Sequence, residues 1–575
     1  MTLNQEGGDE MPIHFQGDGA ASGQLPRRGP RAGAALVDPV GLPRTVLERH
    51  GARILRPVDA AVFAGSGTPL STAYRAAVLL VPDSLLQPRN RELLEEVQRV
   101  LAAGGLRLAV EDVPPLERLL PEELERYRPF LRDVLRRAPL VPTDGAGPVV
   151  VDAWPALQRL RANVRDTAGP LHDQVVRFSL EHLLIGSVPG VDIDGDPVTD
   201  GHPVTGGPGG ATYLTAGSGG RGPVGLVLPA PRRGKLGDPG LGRRPVVAVL
   251  DTGMGPHPWL DASDDPLDDT FVEIDTALQV MLAASESASG DPEPLGGPWE
   301  FPFTEDPLVG ELDTHTGHGT FIAGIVRQVA PDARVRSVRI MHSDGIVYEN
   351  DLLLCIAILD AQAALAQSGS GSGLEFVDVL SLSLGYYSES SADAAYTTEL
   401  AGLLSSLTNR GVLVVCSAGN DSTERPCYPA ALAPAMSGLL SVGALNPNGS
   451  KALFSNDGPW VRCWADGAAV ISTFPTTVDG SQGPLNTLRE PNAPGLPQRR
   501  ETIDPDDFRS GFATWSGTSF AAPLVAAALA AALISESEHD PADDLTLLDP
   551  ADDLTLLAPA AVSARAARAV TMIGG

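Results

Sequence analysis

Apolar residues in this chain fall into two alternating patterns, and that alternation predicts the fold. Short unbroken runs, such as Val246-Val247-Ala248-Val249-Leu250 and Val412-Leu413-Val414-Val415-Cys416, lack the in-and-out period of a half-exposed strand. They read as strands buried on both faces. Runs of this kind predict strands over 245–250, 334–340, 376–384, 411–416 and 438–444. Between them, apolar positions at helical spacing predict helices over 319–329, 351–367, 393–409 and 519–535. Strands alternating with helices specify an α/β fold, a parallel sheet with helices on both faces.

Upstream the pattern changes. A strand over 76–81, a helix over 89–103 carrying Leu93, Leu94, Val97, Val100 and Leu101, and a strand over 106–110 predict a small α+β unit within 41–140. Residues 141–238 follow as a mixed extension, with a helix over 154–164, Gly-rich strands and an exposed linker at 231–238. The large α/β unit occupies 239–536. Residues 1–40 are Gly-rich and polar and are expected to be disordered. Residues 537–575 form an acidic tail, in which 540–548 and 549–557 are the same nine residues, and a final helix. Two stretches fit no regular element: 283–299, expected as a surface insertion, and 480–507, expected as a long loop.

Composition narrows the partners. A net charge of −30 over 575 residues argues against nucleic-acid or anionic-membrane partners, which need concentrated Lys and Arg. The apolar run 521–534 is short of the roughly 20 residues of a membrane span. The first 30 residues carry acidic groups and no continuous apolar core, so no export signal is read and a cytoplasmic location is expected. Of the four cysteines, Cys355 and Cys416 fall in apolar runs. Cys427 and Cys463 fall in loop-like settings, free in a reducing compartment and the candidate bridge in an oxidising one. No Cys/His spacing suggests zinc, and no cofactor is required by any motif.

The chemistry gathers at strand and helix ends. Asp251 ends a buried strand, His318 stands between glycines in Thr316-Gly317-His318-Gly319-Thr320 before a helical pattern, and Ser519 lies in Ser516-Gly517-Thr518-Ser519 at the mouth of another. A serine hydroxyl needs an imidazole to take its proton, and the imidazole needs a carboxylate to fix its tautomer. The chain order Asp, His, Ser resembles that of subtilisin-like serine peptidases over roughly 240–535. Pro523 is expected in the first turn of the nucleophile helix, where its missing N–H costs little.

Further residues take roles only through the resemblance. Asn420, in Ser417-Ala418-Gly419-Asn420, matches the family's oxyanion donor; Ser383-Leu384-Gly385 matches the strand on which an extended substrate pairs. Ser417, Ala418 and Gly419 would line the pocket for the side chain before the scissile bond, with Leu384 and Gly385 opposite. Small residues there leave room for a bulky apolar group, and Asp421 at the rim for a basic one. The family's helix pattern carries His where this chain has Phe321. The resemblance also implies structural calcium, with no ligands matched here. It implies that 41–140 is an inhibitory prodomain cut off within 231–245; a retained accessory unit is the equal alternative. The function implied is a serine endopeptidase acting on peptides or proteins. A catalytically silent peptide-binding protein is the alternative on the same fold. A sedolisin-like acid peptidase is disfavoured, because it would carry Glu in place of His318 and Asp in place of Asn420.

Overall fold

The stripe Leu93, Leu94, Val97, Val100 and Leu101 does form a helix, and it covers an antiparallel sheet. The computed structural model describes residues 13–15, 40–62, 67–186 except 112 and 146, 221–238, 241, 243–300, 304–306, 311–369, 376–390, 398–478, 487–489, 499–501, 508–537 and 559–574. Strand β1 (His14–Phe15) comes first, followed by α1 (Arg44–Arg49), β2 (Ala52–Leu55), β3 (Thr72–Pro82) and α2 (Arg91–Ala102). Then come β4 (Leu106–Leu108), β5 (Leu135–Pro142), α3 (Ala153–Val164), α4 (Pro170–Val175) and β6 (Ser179–Gly186). Strands β4, β5, β3 and β6 lie in that order, with β2 on β3, so one sheet runs across the boundary expected at 140 and ends at Gly186. Val97 and Leu101 of α2 and Trp154, Leu157 and Leu160 of α3 bury against Leu79 and Val81 on one face. Leu80, Leu135, Leu183 and Leu184, on the other face, join the core of the following unit.

That unit opens with β7 (Gly222–Pro223), β8 (Val246–Asp251), β9 (Ala262–Ser263), β10 (Val272–Ile274), α5 (Thr276–Ser289), the short hairpin β11 (Thr304–Asp306) and β12 (Glu311–Leu312), and α6 (His318–Val329). It continues with β13 (Arg334–Arg339), β14 (Ile346–Tyr348), α7 (Glu349–Gln367), β15 (Val379–Leu382), β16 (Leu384–Gly385), α8 (Thr398–Asn409), β17 (Leu413–Ser417) and β18 (Leu439–Leu445). Last are β19 (Cys463–Asp466), β20 (Val470–Thr473), the pair β21 (Thr487–Arg489) and β22 (Arg499–Glu501), β23 (Phe512–Trp515), α9 (Thr518–Ser537) and α10 (Pro559–Gly574). The main sheet has the order β1-β19-β18-β17-β15-β8-β13-β10-β9. Its pairs are parallel except for β1 on β19.

The unalternating run of β8 is explained by its two neighbours in depth. Val246, Ala248 and Leu250 pack into one core with α5 and α7, whereas Val247 and Val249 pack into another with α6 and α9. Burying each such side chain contributes about 1.5–3 kcal/mol. The chain leaves β8 toward β13 on one side and enters β15 on the other, so a cleft opens at the carboxyl ends of these strands.

Several expectations change. The stretch 283–299 is not simply a surface insertion: its first part completes α5, where Leu278, Met281, Leu282 and Ser285 keep helical spacing and are buried. The linker at 231–238 is tied down, because Arg233 donates to the Asp269 and Thr270 carbonyls (2.6 and 3.0 Å) and the Gly234 N–H to Asp332 (2.5 Å). Pro523 is the sixth residue of α9, beyond its first turn. Cys463 opens β19, and all four cysteines are buried and free, so Cys427 and Cys463 do not pair. Most of 1–40, residues 187–220, most of 480–507 and the repeats at 540–557 lie outside the described residues.

Candidate active site

Asp251 is the last residue of β8, held at the carboxyl edge of the sheet by pairing with Arg339 of β13. Its Oδ1 accepts the Thr252 N–H (2.8 Å) and faces His318 Nδ1 at 2.8 Å. A carboxylate there makes Nδ1 the donor, which leaves Nε2 as the ring's acceptor. His318 is the first residue of α6 and is fully buried. Gly317 precedes it with φ 89°, a left-handed turn, and a Cβ there would run into the Phe474 ring. A Cβ on Gly319 would strike the Gly253 carbonyl. The two glycines therefore let α6 start directly against the Asp251 loop. Trp515 and Phe520 flank the imidazole at centroid distances of 5.7 and 5.3 Å, and Phe321 packs on both.

Ser519 is the second residue of α9. Its hydroxyl donates to the Ser383 carbonyl at 3.3 Å, and His318 Nε2 is buried without a hydrogen-bond partner among the described residues. Pro523 has no N–H to offer the Ser519 carbonyl four residues back, and the Ser383 hydroxyl donates to that carbonyl instead (2.9 Å). Ser383 thus grips the start of α9 at Ser519 through both its hydroxyl and its carbonyl. Asn420 follows β17 and turns its Oδ1 to the Thr518 N–H (2.9 Å), which aims Nδ2 elsewhere. That Nδ2 too is buried and has no partner among the described residues.

The remaining predicted residues surround this point. Leu384 and Gly385 form β16, and they are already paired: Leu384 opposes Gly186 and Gly385 opposes Ile185 of β6. Gly186 donates to the Gly345 carbonyl (2.8 Å) and accepts from His315 Nε2 (3.1 Å), with the His315 ring 5.3 Å from that of His318. Burial, helped by His318 alongside, pushes His315 down to about 3, so it is neutral at ordinary pH. Ser417 and Ala418 are buried, and the Ala418 carbonyl accepts from Asn456 (2.8 Å). Cys427 sits between the opposite walls: a Cβ on Gly385 would lie 2.5 Å from its sulfur and one on Gly419 3.5 Å. Asp421 is not an open rim charge, because Tyr387 donates to it at 2.6 Å and burial pushes its carboxyl up to about 6.

Sequence reasoning missed Glu300, which is buried beneath Asp251 and His318 and accepts from Thr252 and Thr320 (both 2.9 Å). Nothing local marks it, since it ends a Pro/Gly/acid-rich stretch. The only signal was the pair of threonines beside the two motif residues. Among the described residues no group of three or more His, Cys, Asp or Glu is arranged to hold a metal ion, and no helix is long and apolar enough to cross a membrane.

The subtilase family model (Peptidase_S8) matches residues 242–547, a little over half of the sequence. The chain belongs to the subtilase family. Subtilisin BL of Lederbergia lenta is 29% identical over 238 residues, 40% of this chain and 66% of that protein. The thermostable alkaline protease of Halalkalibacterium halodurans is 31% identical over 233 residues, 40% of this chain and 49% of its own length. These matches span less than two thirds of either relative. A solved lanthipeptide protease aligns over 51% of this subtilase and 74% of its own chain, at 19% identity and a TM-score of 0.32.

Proposed function

We propose that this subtilase is a serine endopeptidase, with Ser519 as nucleophile, His318 as general base, Asp251 as its orienting carboxylate and Asn420 as oxyanion donor. The observation that carries the reading is a pair of buried atoms with no partner among the described residues: His318 Nε2, an acceptor, whose ring lies beside Phe520, and Asn420 Nδ2, a donor, whose amide oxygen holds the Thr518 N–H, the two chain neighbours of Ser519. Unpaired buried polar atoms are costly, and an active site is where that cost is met by substrate. The reading requires the Ser519 hydroxyl to leave the Ser383 carbonyl and donate to His318 Nε2 instead. The imidazole takes the proton as Oγ attacks a peptide carbonyl, Asp251 stabilises the imidazolium, and Asn420 donates to the developing oxyanion. His318 then returns the proton to the leaving amine. A silent peptide-binding protein has no use for this arrangement.

Covalent labelling by a fluorophosphonate, mapped by peptide mass, tests the reading. The expected adduct is on Ser519 and disappears in His318→Ala. An enzyme that takes no label, or takes it elsewhere, removes Ser519 from the mechanism.

A second reading concerns the N-terminal unit, which we take to fill the substrate cleft in cis. Strand β6 pairs with β14 and β16, the edges that an extended peptide would use, and ends at Gly186 beside His315. Substituting Ile185 and Leu184 by Asp in the full chain is expected to raise peptidase turnover. An unchanged or lower rate in a folded variant would show that β6 is no competitor of substrate.

A further inference from the structure

We propose that Glu300 is a positioning residue that clamps the Asp251 loop to the start of the His318 helix. The inference rests on the reading of Asp251 and His318 as a catalytic pair, and it concerns what keeps them aligned. Glu300 reaches the site from outside both motifs. Its backbone N–H donates to the Met254 carbonyl (3.0 Å), and Met254 bridges to Trp299. Its Oε1 accepts from the Thr252 hydroxyl (2.9 Å) and from the Gly317 N–H; its Oε2 accepts from the Thr320 hydroxyl (2.9 Å). The two threonines pass the connection on. Thr252 Oγ1 accepts the Gly319 N–H (2.9 Å), and Thr320 Oγ1 accepts the Gly255 N–H (2.8 Å).

Apart from the Glu300 N–H bond to Met254, these five bonds join the segment 252–255 to the segment 317–320, either directly or through the carboxylate. Asp251 stands immediately before the first segment and His318 within the second. Their single 2.8 Å contact is therefore spanned by a five-bond brace centred on one buried side chain. Gly317, in a left-handed conformation, donates its N–H to Oε1.

The surroundings act on this carboxyl in opposite directions. Burial pushes the Glu300 carboxyl up to about 7, Gly317, Thr320 and Thr252 pull it back through their hydrogen bonds, and Asp251 pushes it further up. Arg221, stacked on Trp515 and donating to the Thr316 carbonyl, and Arg339, donating to the Trp299 carbonyl, supply the nearby positive charge. His315 and His318 are the other titratable groups on the α6 side, and Asp313 lies beyond Arg221.

The test compares Glu300→Ala, Glu300→Gln and Thr320→Val in the full chain. A misplacement near 1 Å costs about 10²-fold in rate. Glu300→Ala is expected to lower kcat by about that factor while KM moves less than about threefold. Glu300→Gln keeps the carbonyl acceptor for Thr252 and Gly317 and should recover most of the loss, and Thr320→Val should fall between. A readout independent of turnover is the downfield proton resonance of His318 Nδ1–H in the Ser519→Ala background, which should shift or broaden in Glu300→Gln. If both activity and resonance stay as in the parent, or if KM alone rises, the proposal is wrong. Should the unmodified enzyme neither hydrolyse peptides nor take label at Ser519, it is the catalytic reading that fails. The resonance still reports on the brace.

Discussion

At the scale of single residues, Ser519 and His318 are not hydrogen-bonded to each other, and each is held by something else. Ser519 leans on the Ser383 carbonyl, and His318 is fixed from behind by Asp251. Groups that act only in concert give non-additive losses, because removing one already disables the proton transfer. Ser519→Ala and His318→Ala are each expected to abolish most hydrolysis of a chromogenic peptide amide. The double variant should be little worse than either single. Multiplied losses would mean that the two side chains serve different steps. The local settings of two proposed site residues were legible in the sequence: glycines on both sides of His318 and a strand end at Asp251. His315 was not: three positions from His318 it reads as an ordinary loop histidine, and only the fold brings it to the Gly186 carbonyl.

At the scale of elements, patterns of burial were the readable part. The strands over 246–251 and 413–417 and the helices over 318–329 and 349–367 fall within a few residues of their predicted bounds. The apolar period fixes them before any tertiary contact is known. Helix α5 escaped because its later turns carry Ser, Glu and Gly beside the acid-rich stretch, and Glu286 is buried there by partners distant in sequence. Pro523 was misplaced by two residues or so, and the difference matters. At the sixth position it removes the N–H that would bond the Ser519 carbonyl, and Ser383 Oγ replaces it. Ser383→Ala should cost about 1–3 kcal/mol, the range for a buried acceptor left unsatisfied. Pro523→Ala restores a backbone donor to that carbonyl, so in its background the Ser383→Ala penalty should shrink. Chemical denaturation of the four proteins gives the coupling directly, and additive penalties would separate the two residues.

At the scale of the whole molecule, the two units are joined by one shared sheet and by buried charge. Arg75 and Arg137 of the first unit pair with Glu181 of their own unit and with Asp291 and Asp351 of the second, at 2.5–3.2 Å. His182, on β6, lies between Glu349 (2.6 Å) and Glu389 (2.9 Å). Burial alone would push this histidine down, but the two carboxylates outweigh it and raise it to about 10. A raised histidine stabilises the fold fully below its ordinary value near 6.5 and loses that contribution as pH climbs through 10. Glu389, held down to about 2 by His182 against the push of burial, contributes above its ordinary 4.5 and loses it only in strong acid. Thermal stability of uncut Ser519→Ala protein should therefore fall between pH 6.5 and 10. Glu286, pushed up to about 9 by burial and Asp351, adds a loss of the same sign. The informative quantity is thus the difference in slope from His182→Gln/Glu389→Gln, which should be shallower; equal slopes would remove His182 from the interface energetics.

The same interface decides where the chain would cut itself. The exposed Gly/Pro/Arg-rich stretch at 231–245 was the natural candidate from sequence, because composition says how accessible a segment is and not where it lies. In the fold, Arg233 and Arg244 bind that stretch to Asp269 and to backbone carbonyls, far along the chain from β6. Strand β6 is the one that pairs with β16, next to Ser383. Gly186 opposes Leu384, the neighbour of Ser383, and its carbonyl meets His315 beside His318. If β6 is bound as a substrate strand, the expected cleavage lies shortly after Gly186 in the chain. If the N-terminal unit is a prodomain, wild-type enzyme should release a new amino terminus shortly after Gly186, while Ser519→Ala protein stays whole. N-terminal sequencing of both settles the outcome. A first cut within 231–245 would mean that β6 is not bound as a substrate is, and a wild-type chain that remains whole and active would make the N-terminal unit a permanent part of the enzyme.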